Sequence, residues 1–537
     1  MGKSNIRERN LVRYSPNKVT ARGGGGTLGR IVFGLSGIAV CAKFFGFAEK
    51  LVIAHFFGTG DAADVYFGSM GVVLSIVYFV KELVYTSFLP VLADSLSSGK
   101  ELSSARLFRK VFLLSVCFMG VTVIIIAIFP EVVTGVLMPG FGETKRGMAG
   151  KLLRVLMPGA FFLGLGMVTF TALNARKKFL SAALVEAGLK FFIVAGLVVL
   201  VPILKIYALA AVIGLGGLGC LLIQLKLIPE SKFLFKPAVD TDESDIFGKV
   251  LLLMGPLVVG VVFSHISGLV DNGLASTLPR GQLACLGYSK KLIDAILLIG
   301  PVAVVTVVYS ELSHLASTKN YEKFTGLARK ALRLLIYGGL PVSCVLIALR
   351  EPLIRFLFER GQFDRWSTMG TSLAFMVYGV GIVTFSLEVL LVHCFFALSD
   401  TKTPVKFGIL CVCADIILAV ILLRPFGCVG IAGAFVISKT LKIVILAAKL
   451  NRRLGGDLFG WGFLIFLAKL VIASGALCCA LRLCGMVAVG DPVLPAVVSS
   501  LMLPAFSGLA VFVLCSYLVR IDELGVIISL IKGRGKI

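Results

Sequence analysis

Leu137-Met-Pro-Gly-Phe141 is followed about 30 residues later by Ala172-Leu-Asn-Ala-Arg-Lys-Lys178, and Leu357-Phe-Glu-Arg-Gly-Gln-Phe363 is followed in the same way by Ala397-Leu-Ser-Asp-Thr-Lys-Thr403. Ala397 lies 225 residues after Ala172, and the first strings repeat within a few residues of that offset. Between and around these polar strings the chain is apolar in runs of about 20 residues, the length that spans a bilayer as a helix. The repeat therefore predicts two related lobes of six helices each, around a midplane cavity, as in secondary transporters.

Fourteen such runs can be counted: 30–57, 62–92, 108–129, 150–175, 179–201, 205–228, 246–275, 284–311, 328–349, 368–398, 404–423, 427–448, 459–481 and 494–519. Ten-residue alternating segments, the mark of a membrane barrel, are absent, so the expected fold is an all-α polytopic membrane protein. The expected division is a basic tail (1–29), an N-terminal six-helix lobe (30–228), a linker (229–245), a C-terminal six-helix lobe (246–453), helices 13 and 14 (454–519) and a second basic tail (520–537). Both ends and the even-numbered connections carry roughly three times the Lys and Arg of the odd-numbered ones. The positive-inside rule then places both termini in the cytoplasm, which requires an even number of spans, as counted.

Composition agrees. Of 537 residues 58% are apolar and 15% charged, against about 25% charged in a soluble domain. The net charge of +24 is assigned to loops facing anionic lipid rather than to nucleic acid. The first thirty residues are too long and polar for a signal peptide and read as a disordered basic tail. The 13 cysteines fall mostly inside apolar runs; Cys411 and Cys413, about 200° apart on a helix, share no face and read as packing residues. The four histidines are dispersed, and no nucleophile triad, phosphate loop or catalytic carboxylate pair can be assembled. No enzyme activity and no cofactor is expected.

Charges inside the apolar runs are costly unless they face protein or water. Lys43 and Lys50, seven apart on helix 1, share a face, with Glu49 on the flank. Asp64 stands one turn into helix 2 and Lys81 near its far end. On helix 8, Lys290 is expected to pair with Asp294 at i,i+4, leaving Lys291 unpaired. Lys43, Lys50, Lys81 and Lys291 are expected to converge on a phosphate or diphosphate, supported by Glu49, Asp64, Lys290 and Asp294. Glu186 and Lys190 read as a satisfied pair, and Lys439, Lys442 and Lys469 as snorkelling or lumen-lining. Asp415, Ser438 and Thr440 offer oxygen ligands for a monovalent cation such as sodium.

Several strings, in order, resemble the MurJ (MviN) family of lipid II flippases: Gly46-Phe47, Phe57-Gly-Thr-Gly-Asp-Ala-Ala-Asp-Val-Tyr66, Phe88-Leu-Pro-Val-Leu-Ala93, Leu137-Met-Pro-Gly-Phe141, Leu269-Val-Asp-Asn-Gly-Leu-Ala-Ser-Thr-Leu278, Leu357-Phe-Glu-Arg-Gly-Gln-Phe363 and Thr401-Lys-Thr-Pro-Val-Lys406. The resemblance covers about residues 30 to 450. It implies the multidrug/oligosaccharidyl-lipid/polysaccharide exporter superfamily, a V-shaped pair of lobes, alternating access, and a lipid-tail groove at helices 13 and 14. It further implies transport of the undecaprenyl-linked peptidoglycan precursor across the bacterial cytoplasmic (inner) membrane. The family's Arg-x-x-Gly-Phe-x-Arg-Asp reads here as Lys43-Phe-Phe-Gly-Phe-Ala-Glu49-Lys50; Asp64 matches the family's helix-2 aspartate and Lys291 its helix-8 arginine. The helix-2 arginine falls near Val77, with Lys81 one turn on as its substitute. Lysine lacks the bidentate fork of arginine, so the grip on the headgroup should differ in shape.

The expected function is lipid II translocation, with lipid II and anionic lipids as partners, alongside cell-wall synthesis proteins, and with coupling to the membrane potential or a monovalent cation. The alternatives are an exporter of another lipid-linked oligosaccharide or a drug, and a non-transporting membrane scaffold.

Overall fold

The computed structural model describes residues 25–234, 244–455, 458–488 and 498–531. The basic tail up to residue 24 and the middle of the linker lie outside the described residues. The first lobe contains α1 (Gly25–Phe57), α2 (Asp61–Ser97), α3 (Glu101–Ile128), α4 (Pro130–Leu137), α5 (Glu143–Ala175), α6 (Phe179–Leu204) and α7 (Ala208–Leu227). The second contains α8 (Ser244–Ser276), α9 (Gln282–Ile299), α10 (Pro301–Ser317), α11 (Tyr321–Ala348), α12 (Arg350–Phe358), α13 (Arg365–Val380), α14 (Ile382–Ala397) and α15 (Lys402–Arg453). α16 (Trp461–Ala488), α17 (Leu503–Leu518) and α18 (Asp522–Ile531) complete the chain.

Among the described residues nine helical stretches are long and apolar enough to cross a membrane. Two of them, Phe179–Leu227 and Lys402–Arg453, run to 49 and 52 residues, more than twice what one crossing needs, and each folds back on itself. With α1, the α9–α10 pair broken at Gly300-Pro301, and the α13–α14 pair bent by 43°, each of the fourteen expected runs coincides with helix over most of its described residues. Their outer surfaces are apolar: Val199 is 65% and Leu252 78% exposed, an arrangement that only lipid tolerates over so large a surface.

The duplication is written in the corners of the backbone. Left-handed φ occurs at Gly58, Gly99, Lys177 and Lys205, and again at Gly281, Lys319, Ser399 and Gly427, each 220 to 223 residues later. Lys205 (φ 51, ψ −134) and Gly427 (φ 56, ψ −133) share one conformation, each just past a proline, Pro202 and Pro425, that weakens the preceding helix. At the second of these corners α15 turns into two antiparallel arms, so that Gly430 packs on the Leu422 backbone. The short helices α4 and α12 repeat in the same way, and Phe141 and Phe363, which follow them, are both buried.

Three short helices exceed what the apolar runs predict. α4 and α12 lie in the third and ninth connections. α18 occupies part of the expected tail 520–537, docked by Arg333, whose guanidinium pairs with Glu523 and lies 4.6 Å from the Phe466 ring. α16 and α17 pack on α11 through Tyr337, Phe463, Phe466, Leu477 and Phe512. The two lobes meet most extensively along α2 and α8, from Gly71 against the Asn272 amide to Glu82 beside Ser264 and His265.

Candidate functional site

The lobes are clamped together at the ends that carry the odd-numbered connections. Asp64, 2% exposed, accepts the Gly281 and Ala284 amides at 2.8 and 3.0 Å and the Lys145 ammonium at 2.9 Å. Those amides open α9, so a first-lobe carboxylate caps a second-lobe helix, satisfying donors that the helix itself leaves unpaired and meeting its positive end. Asp61 adds Lys145 at 2.8 Å and Arg280 at 3.4 Å. The Lys145 ammonium is held above its ordinary range: partial burial opposes the charge, and the bonds to Asp61 and Asp64 outweigh it.

Further bonds tie the first connection to the seventh and ninth. The Tyr288 hydroxyl donates to the Gly58 carbonyl at 2.9 Å, the Gln362 amide to the His55 carbonyl at 2.8 Å, and the Thr59 and Ser367 hydroxyls meet at 2.8 Å. Asp364 caps α13 by accepting the Ser367 amide and hydroxyl, which hold its carboxyl below the usual carboxylate range. Beneath them Phe67, Tyr288, Phe358 and Phe363 form one aromatic cluster with centroids 4.8 to 5.6 Å apart.

Gly58 makes this closure possible: it has φ 54°, and a Cβ there would collide with the Gln362 carbonyl. Gly99 has φ 70° with open space around it. Gly99→Ala therefore carries only the left-handed penalty, about 1–2 kcal/mol, whereas Gly58→Ala also forces the connections apart. Thermal melts in detergent are expected to show the larger loss for Gly58→Ala, and equal losses would contradict the close approach.

The expected convergence of Lys43, Lys50, Lys81 and Lys291 is met only in part. Lys50 is buried and already occupied: its ammonium bonds Glu49 at 2.7 Å and the Tyr66 hydroxyl, which in turn donates to Glu49 at 2.9 Å. Lys291 and Lys190 act electrostatically on this triad, so Lys50 and Lys291 do share one region. Lys43 is exposed. Lys81 lies inside the first lobe, 5.7 and 6.0 Å from the Tyr78 and Phe170 rings, and shares a small cavity with Glu186. Glu186 and Lys190 thus face different neighbours rather than serving only each other.

On α9 the pairing is the reverse of the expected one. Lys291 bonds Asp294 at 3.5 Å, while Lys290 turns into the second lobe and stands 4.5 Å from the Phe435 ring. An i,i+3 pair is as close on a helix as i,i+4, and the face carrying Lys290 looks onto an apolar aromatic wall.

That wall bounds a cavity of about 640 Å³ within the second lobe, reaching Glu82 and Thr86 of α2. Asp415, 2% exposed, lies in it and accepts the Ser267 hydroxyl at 2.6 Å, with Ser438 in the same wall. Thr440 does not join them: its hydroxyl donates to the Val436 carbonyl at 2.7 Å and lies 3.3 Å from Thr384. Residues two apart on a helix point to opposite sides, so Ser438 and Thr440 cannot serve one ligand. Asp271, unanticipated, takes that place: it is buried, with the charges of Asp415 and Lys290 close by. One oxygen of each carboxylate has no hydrogen-bond partner, which fits a small cation held between them. Glu388, also unanticipated, binds Lys439 at 3.0 Å and Lys442 at 2.6 Å. Lys469 donates to the Arg520 carbonyl at 3.0 Å.

This geometry has known counterparts. A solved structure described as lipid II flippase MurJ in an inward closed conformation superposes with a TM-score of 0.76 at 22% identity, covering 90% of this chain and 98% of that one. An inward-facing multidrug resistance MATE family transporter of the MOP superfamily gives 0.65 at 13% identity, over 77% and 94%. In sequence the chain is 26% identical over 428 residues to the probable lipid II flippase MurJ of Vibrio cholerae, covering 77% of this chain and 81% of that one. The model of the family described as lipid II flippase MurJ matches residues 53–494, and the chain belongs to that family.

Proposed function

We propose that this protein is a lipid II flippase: it moves the undecaprenyl-diphosphate-linked peptidoglycan precursor from the inner to the outer leaflet of the bacterial cytoplasmic membrane by alternating access. The observation that carries this reading is the family match over residues 53–494. The charge asymmetry of the loops supports a cytoplasmic position for both termini, and in that orientation the clamp of Asp64, Lys145 and Gly281 closes the outer face. Substrate enters from the other side, with the polyprenyl tail left in lipid along α16 and α17. Lys50 and Lys291 supply positive charge between the lobes for the diphosphate, with Glu49, Asp64 and Asp294 holding the surrounding cations in place. Asp271, Asp415 and Ser438 would bind a monovalent cation, and the membrane potential acts on any net charge that moves. Anionic lipids meet the basic tails, and cell-wall synthesis proteins would receive the product. A ligand drives the lobes only through unequal contacts in the two states; opening the clamp must therefore be offset by binding.

Complementation tests the reading. In a bacterium depleted of its own flippase, expression of the wild-type chain is expected to restore growth and cell shape, and Lys291→Ala to restore them poorly. Absence of rescue by a well-expressed wild-type chain would favour export of another lipid-linked oligosaccharide.

A further inference from the structure

The repeat places a histidine where α1 has a lysine. Lys43, Gly46, Glu49 and Tyr66 recur, each 222 residues later, as His265, Gly268, Asp271 and Tyr288, so α8 carries a titratable ring at the position of a fixed cation. His265 faces the other lobe: its Nε2 lies 3.7 Å from the Glu82 carboxylate, buried and without a hydrogen-bond partner. A neutral ring leaves that nitrogen unsatisfied, which burial makes costly, whereas a protonated ring meets an opposite charge. Glu82 is half exposed and lines the 640 Å³ cavity beside Ser264, which gives a proton its route to the pair. The remaining charges stand farther off. Lys290 of α9 and Asp415, Lys439 and Lys442 of α15 line that cavity, and Lys81 turns into the first lobe toward the Tyr78 and Phe170 rings. Asp271 lies six residues along α8, nearly two turns away. Lys110 of α3 approaches α8 at Phe247, about 27 Å from His265 along the axis, and α4 meets α8 at Gly273.

We propose that His265 and Glu82 form a proton-binding site between the lobes, and that the bound proton favours the clamped conformation. Side chains at the seam lie off the contact line of the two backbones, so a turn of the lobes changes their separation even where the helices stay in touch. In the clamped conformation the protonated ring faces a carboxylate of the opposite lobe; after the turn it loses that partner. The proton is therefore held more tightly in the clamped state, by the same factor by which it favours that state. A lysine at this position would be a permanent bridge, and histidine is the side chain whose charge changes between about pH 5 and 8. The inference rests on the alternating-access part of the flippase reading and is independent of the cargo.

The test is a distance measurement on the full-length protein in detergent, with the exposed native cysteines replaced. Spin labels at Thr144→Cys and Arg365→Cys, exposed residues of the two lobes at the clamped end, report the ratio of clamped to unclamped molecules by pulsed electron paramagnetic resonance. The ratio is read with Asp64 intact and in Asp64→Asn, where the weaker clamp populates both states. It is expected to rise about tenfold between about pH 8 and about pH 5.5. His265→Gln should remove that response, and so should Glu82→Gln, because the protonated ring then has no opposing charge. His265→Lys should hold the ratio high at both pH values, a gain of closure that misfolding cannot imitate. A response that survives His265→Gln would belong to His55, whose carbonyl joins the clamp, and would overturn the site. No response in either background, or a His265→Lys protein that opens at the higher pH, would overturn it equally. No lipid is added, so a failed complementation would remove the cargo and leave this result standing, and a flat pH response would do the reverse.

Discussion

Replacing Asp64 by alanine should unlatch the outer face. The change strips a buried acceptor from two α9 amides and from Lys145, and hydrogen bonds to a charged group contribute about 1.5–3 kcal/mol each. The two amide bonds join different lobes, so their loss falls on the clamped state alone, whereas Lys145 belongs to the same lobe as Asp64. A shift of about 3 kcal/mol changes the balance between states more than a hundredfold. The measurement is labelling of a cysteine placed at Thr59 by a membrane-impermeant maleimide, in a background with the exposed native cysteines replaced. Thr59 packs against Gly281 and Ser367, so labelling should be slow in that background and fast with Asp64→Ala. Asp64→Asn, which keeps an oxygen acceptor, should lie between them. Unchanged labelling in Asp64→Ala would remove the clamp from any account of gating.

The second large effect is expected at Lys50. Its removal takes from buried Glu49 the ion pair at 2.7 Å and leaves the Tyr66 hydroxyl at 2.9 Å, and breaking a buried ion pair from one side costs about 3–5 kcal/mol. Lys50→Ala should therefore melt far below wild type. The double substitution Glu49→Gln/Lys50→Met should recover most of that stability, since replacing both charges by neutral groups is often close to neutral. Transport activity should stay low in the double variant if Lys50 also contributes charge between the lobes. A Lys50→Ala protein that melts like wild type would mean that the triad with Tyr66 carries no structural weight.

The helices were legible because one signal, apolar length, decides them, and it is insensitive to detail. The duplication was legible from strings that sit at corners, where backbone conformation limits the residues allowed. α4, α12 and α18 were missed because eight to ten residues fall below the length that hydropathy detects. The site was legible only as a set of residue types. Lys50 was expected to face a phosphate, and its closure into a triad with the neighbouring Glu49 depends on Tyr66, 16 residues away on the next helix, where no spacing rule reaches. Glu388 and Asp271 each stand alone in an apolar run, and that isolation was itself the available signal. Thr440 was grouped with Ser438 in error, because the helical period alone sets residues two apart on opposite sides.

The long seam of α2 and α8 has a consequence for how cargo travels. An axle must remain in contact while the parts around it turn, and these two helices touch from Gly71 and Asn272 to Glu82 and Ser264. The second-lobe cavity reaches that seam at Glu82, Thr86 and Ser264. A group held close to a pivot is displaced very little when the lobes rotate. The membrane faces would then swing past a nearly stationary headgroup, as a revolving door turns about a person standing at its post.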